Sequence, residues 1–77
     1  MLFKDLFHDF IMGTPIKRKV WRGYWKYNPR INNVEMYTKE GGVLLLTATD
    51  NVLFTLSGIL ADDWEIANSG NCDIEVK

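Results

Sequence analysis

The chain opens on apolar residues that come in pairs, Leu2-Phe3, Leu6-Phe7 and Phe10-Ile11, separated by the polar pairs Lys4-Asp5 and His8-Asp9. On a helix that spacing makes one apolar and one polar stripe, and it predicts an amphipathic helix over residues 2–12. Gly13 ends the pattern as a C-terminal cap, and Pro15 prevents it from resuming. From Ile16 to Thr49 the pattern is that of extended chain. Ile16 to Tyr27 is rich in β-branched and aromatic residues and breaks at Asn28-Pro29. A second strand is expected from Ile31 to Thr38, with Val34 and Met36 on one face and Glu35 and Tyr37 on the other. Lys39-Glu40-Gly41-Gly42 reads as a hairpin loop, because its glycines tolerate positive φ. Val43 to Thr49 follows as a mostly buried strand, and Asp50-Asn51 as a tight turn into a further extended piece, Val52 to Thr55. Thr55 or Ser57 is a candidate cap for a short helix through Ile59, Leu60 and Ala61. Trp64 to Ala67 then returns to strand.

These elements describe an α+β fold: one N-terminal amphipathic helix packed on an antiparallel β-sheet, with a short helix before the last core strand. Residues 1–67 are expected to form a single domain. Residues 68–77 form a tail that is flexible in composition at Asn68-Ser69-Gly70-Asn71 and ends as an edge strand or a frayed terminus.

Composition sharpens this picture. A chain of 77 residues buries only about 60% of the surface its unfolded form exposes, so small domains of this size lean on disulfides, metals or partner subunits. Cys72 is the only cysteine and His8 the only histidine. An intrachain disulfide and a cysteine-based zinc site are therefore excluded, and self-association is the leading candidate for extra stabilisation. No apolar run has the length of a membrane span or a signal peptide, and an unpaired cysteine fits a reducing cytoplasm.

The formal net charge is -1, but its distribution is uneven. Residues 16–30 carry Lys17, Arg18, Lys19, Arg22, Lys26 and Arg30 with no acid among them, whereas Asp62, Asp63, Glu65, Asp73 and Glu75 crowd the last segment. Such asymmetry serves an anionic ligand, contact between copies, or simple pairing of the two segments within one fold.

The distinctive stretch is Val20-Trp21-Arg22-Gly23-Tyr24-Trp25-Lys26-Tyr27. As a regular strand it carries Trp21, Gly23, Trp25 and Tyr27 on one face and Val20, Arg22, Tyr24 and Lys26 on the other. Gly23 then leaves a gap between two indoles that suits the flat face of a base, and the nearby cations suit phosphates. The alternative is that Trp21 and Trp25 are core beneath the helix. A strict strand also places Arg18 and Trp21 on opposite faces, so one pocket using both needs a bend or two subunits. Other groups offer less. His8 lies on the polar stripe, Cys72 has no basic neighbour in sequence, and Asp62-Asp63 are adjacent residues that diverge and suit capping or exposure. With no catalytic triad, metal cluster or usefully spaced carboxylate pair, the residues point to a binder rather than an enzyme, with no cofactor.

Three features resemble the second Thoeris anti-defense family of phage proteins. The first is an amphipathic helix ending in glycine and leading to a basic residue, two spacers and tryptophan, here Gly13 followed by Arg18-Lys19-Val20-Trp21. The second is the Gly23-Tyr24-Trp25 continuation into strands with a glycine hairpin. The third is the run Ile59-Leu60-Ala61-Asp62-Asp63-Trp64-Glu65-Ile66, similar to the family's Leu-Ala-x-Asp-Trp-Glu ending. The resemblance covers roughly residues 2–67. It departs at Gly58, where the family often carries an acidic residue before the Ile-Leu pair.

The resemblance implies a sponge: a homo-oligomer, dimer or tetramer, that binds a cyclic ADP-ribose isomer in the host cytoplasm without cleaving it, some members also taking up cyclic dinucleotides. It implies Trp21 stacked on a base and Arg18 on phosphate, with Tyr24 and Trp25 as pocket walls. Asp63 becomes an acceptor for a ribose or base edge, or else a helix cap. Trp64 matches the family ending, but a core anchor is the stronger reading of it. Two rival functions use the same residues: a single-stranded nucleic-acid binder, weakened by the acidic end of the chain, and a small accessory that binds a host protein.

Overall fold

A computed structural model describes residues 1–48 and 52–76. The expected Asp50-Asn51 turn lies outside the described residues, whereas the strand expected to run from Val43 to Thr49 already ends at Leu45, where a 3-10 turn takes over. The elements run α1 (Phe3–Ile11), β1 (Ile16–Arg18), β2 (Tyr24–Asn28), β3 (Asn33–Tyr37), β4 (Val43–Leu45), a 3-10 turn (Leu46–Ala48), α2 (Val52–Ile59) and β5 (Trp64–Ile66). The five strands form one antiparallel sheet in the order β4-β3-β2-β1-β5. This is the expected α+β arrangement, with a short helix before the last strand.

α1 forms where the apolar pairs place it. At its start Asp5 accepts the Leu2 N–H at 3.0 Å, which satisfies one of the orphan donors and sets an acid at the positive end of the helix. At its end Gly13 takes φ +103°. Its N–H bonds to Phe10 O and the Thr14 N–H to Asp9 O, both at 3.0 Å, the paired closing bonds of a Schellman cap. Leu6 and Phe10 are buried, whereas Phe7 and Ile11 remain exposed, so the stripe facing the sheet is narrower than the apolar pairs suggest. Beneath it lie Ile16, Trp25 and Trp64, with Phe3 packed alongside.

Three expectations about the strands need correction. Ile16–Tyr27 is not one strand: β1 ends at Arg18 and β2 begins at Tyr24. The intervening turn is held by Trp21 N–H to Arg18 O at 3.0 Å and Lys19 N–H to Asp63 O at 2.9 Å. β4 is a partly exposed edge rather than a buried strand, with Val43 and Leu44 open to solvent; only one neighbour, β3, flanks it. The short helix starts at Val52, not at a Thr55 or Ser57 cap, and so absorbs the segment expected to be extended.

The second face of the sheet carries Lys17, Tyr24, Glu35 and Tyr37. Lys17 is 1% exposed and reaches Glu65, its cross-strand partner, at 3.1 Å. Tyr24 stacks on Tyr37 with ring centroids 4.6 Å apart. Residues 68–76 form no strand; they turn back over this face. Asn71 donates to Glu65 and to Ile66 O, the Asp73 N–H donates to Arg22 O at 3.0 Å, and Tyr24 Oη donates to Glu75 O at 3.4 Å. Among the described residues no helix is long and apolar enough to cross a membrane.

The division of α1 into buried and exposed positions is measurable. Leu6→Ala is expected to lower the unfolding free energy by ~2–5 kcal/mol, and Phe7→Ala by ~0.5 kcal/mol or less, in urea titrations followed by tryptophan fluorescence.

Candidate functional site

The site begins with the break after Arg18. Because the turn over residues 19–23 interrupts the strand, Arg18 and Trp21 do not fall on opposite faces. The Arg18 guanidinium carbon lies 6.0 Å from the centre of the Trp21 ring, within the range of a cation–π contact. The bend that a shared site requires is thus present in a single chain.

Trp21 is half-buried at a meeting of tryptophans. Its ring centroid lies 5.3 Å from that of Trp25 and 5.1 Å from that of Trp64, the latter edge-to-face. Trp64 is fully buried and Trp25 is 6% exposed, so these two are core. α2 closes the other side of Trp21, with Gly58 set against both Trp21 and Arg18.

Arg18 is committed to Asp63. Its Nε donates to Oδ1 at 2.8 Å and its Nη2 to Oδ2 at 3.4 Å. Both side chains are about three-quarters covered, at 26% and 24% exposure. The hydrogen bond from Arg18 holds the Asp63 carboxyl below its ordinary range. Asp63 also fixes the start of the turn through its backbone oxygen on Lys19. Its carboxylate caps no helix here; it orients the guanidinium beside Trp21.

On the far side of Trp21 a cleft of about 410 Å³ opens at the end of the sheet, between the β1–β2 turn and the β3–β4 hairpin. Trp21, Arg22 and Gly23 line it from the turn, and Tyr37, Thr38, Lys39 and the acidic Glu40 line it from the hairpin. Tyr24 and Trp25 line the cleft as well, from buried positions. Three of the five expected ligand residues, Trp21, Tyr24 and Trp25, therefore share this cleft. Arg18 and Asp63 do not line it and stand together behind Trp21.

Gly23 is not an empty slot. A Cβ there would sit 1.9 Å from the Tyr37 carbonyl oxygen, so the absent side chain admits the β3 backbone rather than a base. The residues missed at the sequence level are Arg22, Tyr37 and Lys39. Arg22 belonged to the basic run, but a regular strand placed it on the face away from Trp21, and the strand pairing that brings the hairpin with Lys39 to the same cleft is a tertiary fact.

The remaining reactive groups lie elsewhere. His8 is exposed on α1. Burial raises the Cys72 thiol above its usual range, which leaves it a poor nucleophile. Burial, and then Glu35, also raise the Tyr37 phenol, whose hydroxyl donates to Glu35 at 3.2 Å. Among the described residues no group of three or more His, Cys, Asp and Glu side chains could hold a metal ion. Comparisons with protein-family models, curated proteins and solved structures found no match for the chain.

Two glycines beside Trp21 should respond oppositely to the same change. Gly23→Ala collides with backbone and is expected to cost ~3 kcal/mol or more. At Gly58 a Cβ would lie 3.7 Å from Trp21, an ordinary contact, so Gly58→Ala should be neutral or stabilising by ~0.5–1 kcal/mol, the helical penalty of glycine. Urea denaturation of both variants decides this. Asp63 supplies a pH test. Its carboxyl is lowered in the folded state, so its contribution is present above the unfolded-state pKa and is lost as pH falls through the lower folded value. Melting temperatures taken downward from pH 5 should fall more steeply for wild type than for Asp63→Asn; parallel curves would show that the Arg18 pair contributes nothing.

Proposed function

We propose that this protein is a sponge: it binds a cyclic nucleotide signal of the cyclic ADP-ribose class and withholds it without cleaving it. The observation that carries this reading is the half-buried Trp21 ring lining a cleft to which Arg22 and Lys39 contribute two cations and Glu40 one acid. The cleft volume, about 410 Å³, falls in the lower part of the ~300–1,000 Å³ range of small-molecule sites. An aromatic face holds a base by stacking, and cations at the rim hold a diphosphate by charge-assisted hydrogen bonds. The sequence resemblance to the second Thoeris anti-defense family, strongest over Ile59 to Ile66, supports the same ligand class and a host-cytoplasmic setting. Sequestration requires affinity and no turnover, so the protein is not an enzyme in this reading.

Homo-oligomerisation belongs to the proposal. Leu53, Leu56 and Leu60 stand 82%, 52% and 83% exposed at a spacing that aligns them on one side of α2 and its continuation. They are the surface that a second copy would cover. Assembly would then supply the stabilisation that so short a chain lacks internally.

Isothermal titration with cyclic ADP-ribose and its isomers, followed by heating the complex and recovering the ligand, tests the reading. Tight binding with the ligand released intact is expected. Trp21→Ala should weaken the binding by ~1–3 kcal/mol, the value of one stacked base, while the near-ultraviolet spectrum of the remaining tryptophans reports an intact core. No heat from these ligands or from cyclic dinucleotides would overturn the proposal and favour a host-protein partner.

A further inference from the structure

Two arginines flank Trp21, and they differ in their freedom to meet an anion. Arg18 spends two nitrogens on Asp63, is 26% exposed and does not line the cleft. Arg22 lines the cleft and is 61% exposed. Its one recorded ion pair, from Nε to Asp73 Oδ2, is 3.4 Å long, and Asp73 is itself 49% exposed.

We propose that Arg22, rather than Arg18, receives the negative charge of the ligand, and that Asp73 is the internal counter-anion the ligand displaces. The inference rests on the cleft being a nucleotide site, and it assigns the recognition of the diphosphate within that site. An exposed single-carboxylate pair is weak, whereas a diphosphate brings more charge and oxygens arranged for the guanidinium fork.

The backbone around Arg22 is fixed independently of that ion pair. The Asp73 N–H holds Arg22 O at 3.0 Å, the Gly23 Cα lies against β3, and the Tyr24 hydroxyl reaches Glu75 O at 3.4 Å. The side chain can therefore exchange Asp73 for a ligand oxygen while the wall of the cleft stays in place. Residues 71–76 thus take part in the site twice, as an anchor through the main chain and as a competitor through the Asp73 carboxylate. Lys39, which lines the cleft next to Glu40, is the second cation such a ligand would meet.

The Asp73→Asn variant separates the two roles, because asparagine keeps the anchoring N–H and loses the charge. The experiment is titration of the full chain with cyclic ADP-ribose at low and high salt, for wild type, Arg22→Gln, Asp73→Asn and the double variant. Arg22→Gln should weaken binding about tenfold or more, the loss of hydrogen bonds to a charged group. Asp73→Asn should tighten it by up to about fivefold at low salt, with the gain shrinking as salt rises and vanishing in the Arg22→Gln background.

An Arg22→Gln protein that is folded by near-ultraviolet circular dichroism and binds like wild type overturns the inference and leaves the nucleotide reading standing. Unchanged or weaker binding by Asp73→Asn overturns the displacement. A wild-type chain that takes up no cyclic ADP-ribose overturns both proposals.

Discussion

A fully buried indole carries an obligation beyond its volume, because its N–H must find an acceptor where water cannot reach. Trp64 meets it at the Gly58 carbonyl, 3.0 Å away, which belongs to the penultimate residue of α2. That bond ties the last strand to the helix preceding it and fixes how α2 approaches the sheet. The same ring accepts edge-to-face contacts from Phe3 of α1 and from Trp21 of the β1–β2 turn. Both helices and the site loop are therefore referenced to one side chain. In a chain with so little core, rings packed at 5.1–5.3 Å from Trp64 do what additional layers of aliphatic residues do in larger domains.

Placing Trp64 at the centre accounts for its surroundings. Arg18 is its cross-strand partner, so the Arg18 side chain emerges on the face where the tryptophans gather. Asp63 immediately precedes Trp64 and pairs with Arg18, which closes a short circuit of β1, the turn and the entry to β5. The segregation of basic residues near position 20 from acidic residues near the end of the chain is resolved in part by ion pairs within the fold. Lys17 pairs with Glu65, Arg18 with Asp63 and Arg22 with Asp73. The burial of Lys17 shows that these pairs organise strands as well as surfaces: removing one partner would strand a buried charge.

How much of this could be read from the sequence follows from how local each determinant is. α1, its Gly13 cap and the glycine hairpin were legible because their signals lie within a few residues of the structure they specify. The fold class followed. The break after Arg18 was not legible: Ile16 to Tyr27 has the composition of a strand, and the turn is stabilised by Asp63, 44 positions after Lys19. α2 was placed too late because Val52 to Thr55 contains β-branched and aromatic residues, a preference that tertiary packing overrides. Gly23 was noticed for the right reason, an absent side chain, and given the wrong occupant. Only the β2–β3 pairing shows that the space belongs to a carbonyl.

The same break decides how rigid the site is. A continuous strand from Ile16 to Tyr27 would have spread Arg18, Trp21 and Arg22 along the sheet on alternating faces, each free to move with its own rotamers. The turn instead packs Trp21 between buried indoles and Gly58, holds Arg18 by a two-point pair with Asp63 and anchors the backbone of Arg22 to the C-terminal segment. Ordering these groups costs conformational entropy at folding, not at the moment a ligand arrives. Preorganisation of this kind raises affinity without adding contacts, which is what the proposed sequestering role requires. What remains adjustable is the Arg22 guanidinium, the one cation of the three whose pair is both long and exposed. In the proposed site, recognition of an anion would then rest on this pair, the weakest of the three and the one most open to exchange.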